Sequence, residues 1–189
     1  MAEILLTSEN FVKSVTSISD NLAGKYLRPS IREAQDIGLR GILGDTLLEK
    51  LKALVGSGDI AKEENLAYKG LLDRAQYYLA YGAVVEVAAK VAYKIVNFGV
   101  AKTQDENLQT ASPEEVSQMR FYYQSKADHC CVELQNYLLN NRASYPELTE
   151  GDCERIHSNL YSAASSGIWL GGPRAKSLPG VAVKCNRRK

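Results

Sequence analysis

The most constraining feature of the chain is a capped apolar stripe in its second half. Ser112-Pro113-Glu114-Glu115 is followed by Val116, Met119, Tyr123, Ala127, Cys130, Leu134 and Leu138. The steps are all three or four residues, the period of an α-helix and not of a strand. Ser112 is a good N-cap, Pro113 suits the first helical position, and Glu115 stands three residues after the cap, where its carboxylate can return to the cap N–H. The spacing predicts one long helix ending near Asn140-Asn141. A second long helix is predicted from about Glu63 to Lys94, carrying Leu66, Leu71, Leu72, Ala75, Tyr78, Leu79, Val84, Val85, Ala88, Val91 and Ala92. From Val84 onward nearly every residue is apolar, so that end is expected to be enclosed on most sides, and Gly82 is a candidate kink. Two such helices must bury their stripes on each other and on further helices, and too few β-forming segments remain for a full sheet.

The rest of the chain fits a helical bundle. Residues 7–14 offer hydroxyl caps and an acidic first turn for a short helix, and residues 14–19 alternate as an extended segment would. Pro29 is expected in the first turn of a helix whose apolar face is Ile31, Ala34, Ile37 and Leu39, with Gly38, Gly41 and Gly44 breaking the pattern. Another helix starts at Gly44-Asp45-Thr46, buries Leu47, Leu48, Leu51, Leu54 and Val55, and ends at Gly56-Ser57-Gly58. Residues 94–111 lose the helical period, and Ile95, Val96, Phe98 and Val100 are β-formers followed by turn residues, which predicts a hairpin or extended arm joining the two long helices. Tyr145-Pro146-Glu147-Leu148 reads as a loop, and residues 149–163 as a short helix. The expected fold is mainly α: a bundle over residues 1–170 with an arm at 94–111, and an extended basic C-terminal tail over 171–189.

Charge divides the chain at Glu154, the last acidic residue. Of 189 residues, 23 are basic and 22 acidic, a net charge of +1. Residues 1–154 hold 16 basic and 22 acidic groups, a net −6, whereas residues 155–189 hold seven basic groups and no acid, a net +7. An acidic body with a basic tail speaks to partners. The N-terminal Met-Ala-Glu-Ile-Leu-Leu-Thr has no basic region or long apolar run, so no secretory leader is expected. The longest uncharged, mostly apolar run, residues 75–85, is too short for a bilayer. Cys130, Cys131, Cys153 and Cys185 include an adjacent pair, a poor disulfide framework, so a reducing cytoplasm is the expected place of synthesis.

Chemistry-bearing motifs are sparse. The glycines at 38, 41 and 44 lie between helices without a phosphate-loop lysine, so they read as helix termination and close packing. Cys153 and His157 are spaced i, i+4 and could share a helix face, but a zinc site of this kind needs a second close pair. Cys130 is expected in the core and Cys131 toward a flank. Neither His129 nor His157 has a hydrolase context, and Glu63-Glu64 and Glu114-Glu115 sit at helix starts, where negative charge suits the dipole. No catalytic residue, metal or cofactor is expected, and the chain is not read as an enzyme. Tyrosine says more: ten of 11 lie between residues 68 and 161, with pairs at Tyr77-Tyr78 and Tyr122-Tyr123. Neighbours on a helix point about 100° apart, so one of each pair can enter the core while the other faces out as an interface anchor.

The tail has little to form a core of its own. Leu178, Val181 and Val183 give it alternating apolar anchors among Arg174, Lys176, Lys184, Arg187, Arg188 and Lys189. A purely phosphate-binding arm needs only charge, so the alternation favours docking on a protein as a strap. A helical nucleic-acid-binding protein using the tail as its arm is the alternative.

Several weak signals in order resemble a known family. The run Tyr26-Leu27-Arg28-Pro29-Ser30-Ile31-Arg32-Glu33-Ala34-Gln35, then Leu43-Gly44-Asp45, is similar to the head of a phage and prophage protein family from Bacteroidota, of the crAss-like phage type. So are the Asn97-Phe98-Gly99-Val100 break, the Ser112-Pro113-Glu114-Glu115 restart, Tyr145-Pro146 and Gly167-Ile168-Trp169-Leu170-Gly171-Gly172. The overall plan also resembles the head–tail connectors, or adaptors, of tailed phages. That resemblance implies a virion neck protein, assembled in the host cytoplasm into a ring of typically twelve copies beneath the portal. Packaged DNA would pass through without sequence-specific binding. The implied partners are the portal protein, other neck or tail ring proteins, and further copies of the chain, with no membrane. Trp169 and the tail residues named above would dock on the portal or a neighbouring subunit, and Ile95, Phe98 and Val100 of the arm would reach a neighbour or the next ring.

Overall fold

The computed structural model describes residues 4–19, 22–96, 99–102, 112–148, 152–153 and 156. The chain is mainly helical. Helix α1 (Glu9–Val15) starts at Ser8, whose hydroxyl accepts from the Phe11 N–H at 3.1 Å. Helix α2 (Gly24–Glu33) begins five residues before Pro29, so the proline lies inside the helix and not in its first turn. It withholds one donor from the ladder, and the next residue, Ser30, turns its hydroxyl back onto the Tyr26 carbonyl at 2.9 Å.

The helical run does not break at Gly38 or Gly41. It widens into a π-helical stretch, Ala34–Leu39, and continues as α3 (Arg40–Leu43). A wider turn shifts every following position around the axis. Gln35 and Leu39 are therefore buried, while Ile37, expected on the apolar face, is 76% exposed. Gly38 is a contact residue: a Cβ there would collide with the Tyr78 hydroxyl. The break comes at Gly44, whose φ of 79° and ψ of 166° suit almost only glycine. Helix α4 (Asp45–Ser57) follows, held to the π stretch by Lys52–Asp36 at 3.2 Å and to α3 by Arg40–Asp45 at 3.1 Å, and ends at Gly58.

After two short 3₁₀ turns comes α5 (Leu66–Ala92), helical throughout. Gly82, the candidate kink, receives Ala34, whose Cβ lies 3.3 Å from where a Gly82 Cβ would stand. Strands β1 (Tyr93–Val96) and β2 (Gly99–Lys102) form an antiparallel ribbon in register Tyr93↔Lys102 to Val96↔Gly99. Helix α6 (Pro113–Asn140) then returns along α5. Its start is the expected capping box: the Ser112 hydroxyl accepts from the Glu115 N–H at 3.2 Å, and the Glu115 carboxylate accepts from the Ser112 N–H at 2.7 Å. The antiparallel pairing runs from Arg74 over the Tyr137 ring (4.0 Å) to Tyr81 beside Tyr123 (6.4 Å).

Two apolar clusters share the pair. One gathers Leu39, Leu43, Leu47, Leu48 and Leu51 from the π–α3–α4 unit against Leu71, Leu79, Leu134 and Leu138. The other joins Val12, Leu27 and Ile31 to Ala80, Ala83, Val84 and Tyr123. Each fully buried leucine contributes about 1.5–3 kcal/mol. Tyr145 lies in the expected loop and is also a core residue, 1% exposed, donating its hydroxyl to the Ala67 carbonyl at 2.8 Å. The N-terminal strap is clamped by amides: Gln35 accepts from the Leu6 N–H at 2.8 Å, and Gln76 donates to the Leu6 carbonyl at 3.0 Å. Among the described residues no helix is long and apolar enough to cross a membrane.

Candidate functional site

The tyrosine pairs divide as helix geometry requires. On α6, Tyr123 is buried and its hydroxyl accepts from the Ser17 N–H at 3.2 Å, while Tyr122 is 54% exposed. On α5, Tyr78 is half-buried and Tyr77 exposed. The outward members lie on one flank of the α5–α6 seam, where they line a groove of about 470 Å³ with Arg74, Tyr81, Ser125, Lys126, His129, Cys130 and Glu133. The Lys126 ammonium stands 4.4 Å from the Tyr122 ring centre and 5.3 Å from that of Tyr81, and Phe11 of α1 packs edge-on against Tyr77 at 5.5 Å. Hydrogen bonding to the Tyr122 hydroxyl raises the Lys126 pKa above the usual lysine value, so the cation is secure. His129 lies 3.4 Å from Glu133. Among the described residues no carboxylate pairs with Arg74 or Lys126.

The other flank of the seam carries a shallower hollow of about 390 Å³ between Val85 of α5 and Pro113, Val116, Arg120, Phe121 and Gln124 of α6. Phe121 is 74% exposed and Met119, expected within the buried stripe, is 43% exposed. The stripe is thus covered from Tyr123 onward and open near the start of α6.

The cysteines exchange their expected places. Cys131 packs against the larger apolar cluster, and burial pushes its thiol up to about 11, with Asp128 adding to the shift. Cys130 lines the tyrosine groove, its thiol raised chiefly by partial burial. Cys153 is buried, and His157 lies outside the described residues. Among the described residues no three of His, Cys, Asp and Glu are grouped to hold a metal. The groove has cations and phenols for binding, with Arg74 stacked on Tyr137 and Lys126 on Tyr122 and Tyr81.

Of the arm residues singled out from the sequence, Ile95 and Val100 are partners in the backbone register of the β1–β2 pair, and Phe98 lies outside the described residues. So do Trp169, Arg174, Lys176, Leu178, Val181, Val183, Lys184, Arg187, Arg188 and Lys189. Sequence reasoning missed Arg74, Lys126 and Phe121. The i, i+4 spacing of Tyr122 and Lys126 was the available signal for the cation–ring stack.

No curated protein and no solved structure matches the chain. One family model does, over residues 39–157, which runs from the end of the π stretch through both long helices and past Tyr145. That match spans well over half of the chain, and the protein belongs to the family of unknown function DUF6712.

Proposed function

We propose that the protein is a structural subunit of a tailed-phage neck, a head–tail connector that assembles into a ring, typically of twelve copies, between portal and tail. The observation that carries this reading is the α5–α6 pair. Two long antiparallel helices are joined through a β-ribbon at one end, and Tyr77, Tyr122, Phe121 and Met119 stand exposed along their flanks. Large apolar and aromatic side chains left in water on a folded bundle mark surfaces that another protein covers. The acidic body, net −6 over residues 1–154, suits a channel wall along which a polyanion slides without sticking. The six basic residues of the tail 171–189, interspersed with Leu178, Val181 and Val183, suit a strap that docks on the portal. The virion neck is the corresponding location.

Electron microscopy of the purified protein, alone and with the cognate portal protein, tests the class. Rings or a portal-bound collar are expected. Deleting residues 173–189 is expected to abolish portal binding while leaving helicity intact. A protein that neither forms rings nor binds the portal, and instead retards duplex DNA at low salt through its tail, would establish the nucleic-acid-binding alternative.

A further inference from the structure

The two flanks of the α5–α6 seam differ in shape and charge. Tyr122, Lys126 and Glu133 each precede a buried residue of α6 (Tyr123, Ala127, Leu134), whereas Gln124 and Asp128 each follow one. Neighbours are about 100° apart, so these sets lie on opposite sides of the buried stripe. The first side is the groove, lined by Tyr77, Tyr81 and Tyr122, by the cations Arg74 and Lys126, and by Glu133 beside His129. The second presents a ridge. Glu114, Phe121 and Asp128 are all exposed and spaced by seven, so each points within about 20° of the next along α6, about 40° across the three, with roughly 10 Å between successive members. Asp128 accepts from the Gln124 amide at 2.8 Å, and among the described residues no cation pairs with either acid. One flank therefore projects an exposed phenylalanine between two acids, at the rim of the hollow that Val85 and Arg120 line, and the other is a groove of tyrosines with two cations and Glu133.

We propose that these flanks are two halves of one contact between copies of this chain, the Glu114–Phe121–Asp128 ridge of one seating in the Arg74–Lys126 groove of the next. Charge complementarity selects the occupant: among the described residues, the groove holds two cations without a carboxylate partner and one carboxylate, Glu133, that stands beside His129, and the ridge supplies two acids without a cation partner around an exposed phenylalanine. The surfaces are different, so the contact is head-to-tail. It continues from copy to copy instead of closing as a two-fold dimer. The inference rests on the ring reading above and supplies its lateral interface.

Sedimentation velocity of the full chain tests it. Wild-type mass is expected to rise with concentration past a dimer and to fall with added salt, because the acid–cation pairs at the rim are screened. Phe121→Ser removes the ridge anchor and is expected to weaken association about tenfold or more, the scale of a truncated aromatic anchor. Lys126→Glu, or Asp128→Lys as a second variant, is expected to do the same. All three sites are at the surface of α6, so far-UV circular dichroism should be unchanged. The decisive sample is an equimolar mixture of Phe121→Ser, which keeps its groove, with Lys126→Glu, which keeps its ridge. It is expected to form a dimer and stop there. If the variants assemble like wild type, or the mixture stays monomeric while wild type assembles, this interface is wrong and the ring reading stands. If wild type is monomeric at every concentration and does not bind portal, both fall.

Discussion

Gly38 and Tyr78 show how much one contact decides. The π-helical stretch approaches α5 so closely that the Tyr78 hydroxyl fills the space a Cβ would need at position 38. The phenol is half-buried there, and its pKa is pushed up to about 12, first by burial and then by Cys131 and Asp128. Tyr68 is likewise raised to about 12, by burial and by its hydrogen bond to the Glu147 carboxylate at 2.8 Å. Both groups hold their protons more tightly folded than unfolded. Their contribution is therefore complete below the ordinary tyrosine value of about 10 and is lost as pH rises toward 12. The urea midpoint is expected to fall between pH 10 and 12, and Tyr78→Phe, which has no proton to lose, is expected to flatten that fall. The loop at Tyr145-Pro146 was legible, but the burial of Tyr145 was not, because the Ala67 carbonyl that accepts its hydroxyl lies 78 residues away.

At the scale of elements, local chemistry was legible wherever a helix end decided the outcome. The capping box at Ser112, the glycine stop at Gly44 and the restart at Asp45 are each settled within four residues of sequence. Ser112→Ala is expected to cost about 1 kcal/mol, read as a lower thermal or urea midpoint with the length of α6 otherwise kept. Where the expectation failed, the cause was a neighbour. Pro29 reads as a first-turn residue on propensity alone, but α2 is extended toward Gly24 because Leu27 packs into the cluster with Val12 and Val84. The π stretch has no local signature, and it moves Ile37 from the expected apolar face into solvent. The tyrosine groove was half legible. The pairs announced one inward and one outward ring each, but which helix would supply Arg74 to meet α6 depends on the pairing of α5 with α6.

The whole molecule is sewn together by amides as well as by leucines. Gln35 is 2% exposed and spends both ends of its side chain on the N-terminal strap, accepting from Leu6 and donating to the Ile4 carbonyl at 3.2 Å. Gln76 holds the same strap from α5. Replacing Gln35 by Leu leaves the Leu6 N–H unpaired in a buried place, and each such group costs about 1–3 kcal/mol. A stability loss of that size, with faster hydrogen exchange at the Leu6 amide, is the expected outcome. Nothing in the sequence distinguishes Gln35 from a surface glutamine, because its partners lie 29 and 31 residues away.

The length of the long pair has a mechanical consequence. Helix α6 has 28 residues, so at about 1.5 Å per residue it extends roughly 42 Å. One end lies near Tyr145 and the other on the half of α5 that leads into the β-ribbon. Packed on α5 along most of that length, it moves as a rod and does not absorb a disturbance by bending. A tilt of about 5° at the Tyr145 end carries the ribbon end through nearly 4 Å, about the rise of one strand residue. The bundle is a lever: small repacking at its base is geared up into displacement at its tip.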